Sequence, residues 1–84
     1  MNSVNYTVKA AKQLRKLPVR DSKKIRIECD KLFAMPNCTN VKALTNHEYE
    51  YRLRVGNHRV FFNFDGAIHI VSIQEVKKRD ENTY

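Results

Sequence analysis

The stretch from Glu48 to Phe64, EYEYRLRVGNHRVFFNF, constrains this chain more than any other. Tyr49, Tyr51, Leu53 and Val55 alternate with Glu50, Arg52 and Arg54, the period of an extended strand with one apolar side. Val55-Gly56-Asn57-His58 breaks the pattern, and Gly56 gives the backbone freedom that a tight turn needs. A second strand follows, with Val60, Phe62 and Phe64 on one side and Arg59, Phe61 and Asn63 on the other. Read as a hairpin, the stretch buries one face and gathers Arg52, Arg54 and Arg59 on the opposite one, where Glu50 is the single acid. Guanidiniums fixed on a sheet suit phosphate oxygens, because each offers a planar fork of donors.

The segments on either side supply the rest of a core. Ser3 to Val8 reads as a short strand, and Thr7 can cap the helix that follows. Ala10, Leu14 and Leu17 recur at helical spacing until Pro18 ends that helix. Asp21 or Ser22 can cap a second helix running to about Ala34. Its stripe is Ile25, Cys29 and Leu32, with Phe33 and Ile27 beside it. The short connection predicts an antiparallel helical hairpin. After a loop at 35–40 and a short strand at Val41–Leu44, the Asp65-Gly66 turn leads into a last strand over Ala67–Val76. That strand is apolar on both sides, so it is expected to be central in the sheet or covered on each side. The expected fold is α+β: an antiparallel-dominated sheet of four or five strands, with the N-terminal helical hairpin packed on one face.

Eighty-four residues make one domain, expected over 1–84, and 16 Lys+Arg against 9 Asp+Glu give a formal charge of +7. That balance favours a polyanion or an acidic protein as partner. Cys29 and Cys38 are nine residues apart without a CxxC pair, and no apolar run approaches membrane-spanning length. The expectation is a cytoplasmic protein with reduced thiols and no membrane partner.

His47, His58 and His69 lack metal-ligand spacing, and no phosphate-cradling glycine loop is present. Metal-free RNA cleavage fits what remains. RNA brings its own nucleophile, the 2′-hydroxyl. The protein need only orient it, stabilise charge on the phosphorane and protonate the departing 5′-oxygen. Arg52, Arg54, Arg59, Lys78, Arg79 and Tyr84 make up such a kit, and Lys77 and His58 border it. Basic interaction modules would offer it too.

YTVKAAKQLRKLP, VKAL, YRLRVGNHRVFF and IHIVSIQEVKKRDENTY, in that order and over nearly the whole chain, resemble the RelE/ParE superfamily of toxins. The basic cluster before a tyrosine resembles its RelE branch, the ribosome-dependent messenger-RNA endonucleases. The resemblance implies no metal or cofactor. It implies cleavage of mRNA in the A site of the 70S ribosome, a 2′,3′-cyclic phosphate product, and neutralisation by a cognate antitoxin. It puts Arg52 where RelE has a catalytic-site lysine and Arg54 at a basic position of the same strand. Arg59 falls at the phosphate-binding arginine, and Lys78, or its neighbour Arg79, at the proposed general acid. Tyr84 falls at the tyrosine that stacks on the messenger.

Two departures stand out. Glu50 occupies the position of a further RelE lysine, where a carboxylate can act as a base or repel the phosphate. Lys78 replaces an arginine, keeping the charge and losing the fork. The alternatives are a ParE-like, non-enzymatic DNA gyrase inhibitor and an inactive family member acting as a binding module.

Overall fold

A computed structural model describes residues 1–78. The elements run β1 (Ser3–Tyr6), α1 (Val8–Arg15), α2 (Val19–Asp30), a 3-10 turn (Lys31–Ala34), β2 (Val41–Ala43), β3 (Tyr51–Val55), β4 (His58–Asp65) and β5 (Ile70–Lys78). Among the described residues the strands form one sheet in the order β1-β5-β4-β3-β2. β1 lies parallel to β5, and every other pair is antiparallel. The architecture is the expected one, with β5 inside the sheet. No described helix is long and apolar enough to cross a membrane.

The helical stripes meet the apolar side of the hairpin. Ala10 and Leu14 of α1, Ile25 and Cys29 of α2, and Leu32 and Met35 pack with Leu53, Val55, Val60, Phe62, Val71, Ile73 and Val76. Ile27 and Phe33 stay largely exposed. Ile27 lies two residues from Ile25, about 200° around the helix, and so turns away from the core. Both cysteines are free, and burial pushes the Cys29 thiol up to about 12, which makes it a packing group rather than a nucleophile.

Thr7 caps α1 as expected: its side chain accepts from the Ala10 N–H at 3.1 Å and donates to the Gln74 carbonyl at 3.2 Å. The second cap differs from expectation. α2 begins at Val19 with Pro18 as N-cap, and Asp21 lies in the first turn, where its charge complements the helix dipole. β1 ends at Tyr6, because Thr7 already serves the helix.

The last strand starts later than expected, at Ile70. The Asp65 carboxylate accepts from the N–H groups of Ala67 (2.9 Å) and Ile68 (3.4 Å), which extends the turn beyond Asp65-Gly66 and leaves Ile68 exposed. Further along β5 the register with β4 slips. Phe62 pairs with Ile73 and Phe61 with Glu75, so Gln74 is the extra residue of a bulge. Strict alternation would put Glu75 beside Ile73 in the core; the bulge sends it to the opposite face.

Candidate functional site

The sheet face away from the helices is built in rows, because directly paired residues of neighbouring strands share a face. One row is Arg54, Arg59 and Lys77, from β3, β4 and β5. The next is Lys42, Arg52, Phe61 and Glu75. The turn at Gly56, with φ of 55°, brings Arg54 and Arg59 together. Arg52, Arg54, Gly56, His58 and Arg59 line an open cleft of about 230 Å³. The Nε of Arg52 is buried there without a hydrogen-bond partner among the described residues. Such a donor is costly to leave unmatched.

The other residues predicted from the sequence divide between this cleft and its surroundings. His58 pairs with Lys78, and both line a second cavity of about 360 Å³, which Asp21, Lys24 and Ile25 of α2 enter from the helical side. Lys77 therefore shares the arginine row, whereas Lys78 opens toward the helices. Glu50 lies at the far end of the hairpin strand, about 13 Å from Arg54 at the usual strand rise. Its carboxylate accepts from the Phe64 N–H at 2.9 Å, its own N–H donates to Asn63 Oδ1 at 2.9 Å, and its carbonyl accepts from Leu44. Glu50 thus clips β3 to β4. Arg79 and Tyr84 lie outside the described residues.

The acid on the basic face is Glu75. It is 8% exposed, with Lys9 Nζ at 3.4 Å and Lys77 Nζ at 3.7 Å from its Oε1. Burial pushes its carboxyl up, but the hydrogen bond from Tyr49 and the charges of Lys77 and Lys9 outweigh that and hold it below the usual value. The same contact, with desolvation first, raises the Tyr49 hydroxyl, and Glu75 raises Lys9.

Tyr49 was expected on the core side of the hairpin. It precedes β3 instead and turns onto the basic face, where its ring lies 5.8 Å from Phe61. His47 stacks on Phe61 at 5.1 Å and 12°. Nothing in the local pattern announces this ring cluster or Glu75. Lys42 had a weak signal, as a cation alternating with Val41 and Ala43 in a short strand.

The family described as the ParE toxin of type II toxin-antitoxin systems, parDE, matches residues 4–83. Among curated proteins, none matches the chain. Solved structures are similar in fold. The RelBE2 toxin–antitoxin complex of Mycobacterium tuberculosis is 24% identical, with a TM-score of 0.78 over 93% of this chain and 98% of that one. The RelE–RelB complex of Pyrococcus horikoshii is 22% identical, with a TM-score of 0.78 over 95% and 97%. The isolated RelE toxin of Escherichia coli is 14% identical, with a TM-score of 0.79 over 96% and 87%. At these identities the likeness is one of fold.

Proposed function

The chain belongs to the ParE toxin family of type II toxin-antitoxin systems, and from that premise we propose that it is a metal-independent, ribosome-dependent endoribonuclease that cuts messenger RNA in the A site. The observation that carries this reading is the row Arg54, Arg59 and Lys77 beside Arg52, held on a rigid sheet around an open cleft. In the reaction, the 2′-oxygen gives its proton to solvent water and attacks the adjacent phosphorus. The P–O5′ bond breaks and the 5′-oxygen takes a proton, leaving a 2′,3′-cyclic phosphate and a 5′-hydroxyl. Fixed guanidiniums favour this step because they bind more strongly as charge builds on the equatorial oxygens. Arg59 and Arg52 hold those oxygens in this account, and Arg54, Lys77 and His58 steer the strand. Arg79 supplies the proton and Tyr84 stacks on the messenger, roles that rest on the family resemblance; Lys78, the other candidate donor, opens toward the helices rather than onto the arginine row.

The partner that neutralises such a toxin is a cognate antitoxin with an acidic or amphipathic segment. The +7 charge supports this, as does the description of similar folds as complexes of RelE with RelB. The site of action is the cytoplasm, where translating ribosomes are. A second reading, a non-enzymatic inhibitor of DNA gyrase, is favoured by the family's own ParE description. Primer extension on translated messages, run beside a gyrase supercoiling assay, separates the two. Cuts within codons with supercoiling unaffected support the endoribonuclease. Intact messages with supercoiling blocked would replace it with the second reading.

A further inference from the structure

The loop between β2 and β3 places rings beside the arginine row, and neither fold nor cleavage chemistry accounts for how they are held. The loop is closed by a hydrogen bond from Leu44 N–H to the Glu50 carbonyl at 2.9 Å, and Asn46 takes a left-handed conformation, φ 52°, just before His47. His47 then lies flat on Phe61, while Tyr49 tilts against both rings at 5.8 Å. The Tyr49 N–H donates to His47 Nδ1 at 3.0 Å, which fixes the imidazole in its own plane. The Tyr49 hydroxyl also interacts with Glu75 of β5. Phe61 is 9% exposed in this arrangement, whereas His47 is exposed. The imidazole therefore covers Phe61 while remaining exposed itself.

We propose that the outer face of His47, backed by Phe61 and held through the Tyr49 N–H, is a stacking subsite for an unpaired nucleobase next to the phosphate held at Arg52 and Arg59; the inference rests on the RNA reading of those arginines. Phe61 and Arg59 lie two residues apart on the same face of β4, about 6.6 Å at the usual strand rise. Unstacked bases of single-stranded RNA are recognised by flat rings that offer a π-face, with little demand on base identity. The charge of Glu75 is offset by Lys9 and Lys77, which both approach it within 4 Å, while Glu48 adds a carboxylate in the same loop. A plain cover for Phe61 would need only apolar bulk. A flat ring locked in its own plane is what stacking requires.

The test uses programmed ribosomes carrying a messenger with 2-aminopurine in the A-site codon. A 2′-deoxy nucleotide at the cleaved position prevents the reaction. Parent toxin should quench the 2-aminopurine fluorescence, His47→Phe should retain the quench, and His47→Ala should lose it and bind the loaded ribosome about tenfold more weakly. Equal quenching and affinity for His47→Ala and the parent would overturn the subsite while leaving the RNA reading in place. Failure of the parent itself to engage the loaded ribosome would overturn that reading, and the subsite with it.

Discussion

Arg54 and Arg59 stand directly opposite each other across β3 and β4. Like charges in that relation destabilise a sheet, and Lys77, opposite Arg59 on the other side, adds to the charge. A neutral residue at either position would remove that term. A polyanion bound across the row would relieve it.

Stability and cleavage should therefore move in opposite directions at Arg54. Arg54→Thr should stabilise the free toxin by about 0.2–1 kcal/mol, a rise in melting temperature of about 1–8 °C, while slowing cleavage on ribosomes. Thermal melting and single-turnover cleavage check the two halves. A variant that melts lower than the parent would show that the pair is not held against repulsion.

Glu75 sets a pH dependence. Its folded carboxyl lies below the ordinary value of 4.5. A depressed carboxyl contributes stability that is fully present above the unfolded value and is lost as pH falls through the folded one. Denaturant unfolding should show Glu75→Gln less stable than the parent at pH 7, with the gap closing as pH drops below about 4.5. A gap unchanged down to pH 3 would contradict the ion pairs with Lys9 and Lys77.

The core assignment is tested at Cys29, which is 0% exposed. An unpaired charge buried there costs several kcal/mol, a large share of the ~5–15 kcal/mol of a typical domain. Cys29→Asp should leave the chain unfolded at 37 °C by circular dichroism. A parental melting curve would remove Cys29 from the core.

The helical stripes and the hairpin could be read directly because their periods are local: Ala10/Leu14 and Ile25/Cys29/Leu32 repeat within a few turns, and Leu53/Val55 against Val60/Phe62 within one hairpin. The arginine row was legible for the same reason, since Arg52 and Arg54 lie in one strand and Arg59 just past its turn. Glu75 was not legible. Its face depends on a bulge at Gln74, which appears only once β5 is paired with β4. Tyr49 continues the alternation of Tyr51 and Leu53, yet the strand begins after it, because Glu50 clips the hairpin through Asn63 and Phe64. The division between Lys77 and Lys78 follows from the same bulge, which sets the phase of everything beyond it.

The central claim is that the arginine row stabilises charge on a phosphorane, and Arg59→Ala tests it most directly. Single-turnover cleavage of an A-site codon should fall by about two orders of magnitude, the equivalent of about 3 kcal/mol of transition-state stabilisation. Binding to the same ribosomes should stay near the parental level. Cleavage by Arg59→Ala at the parental rate would contradict the claim.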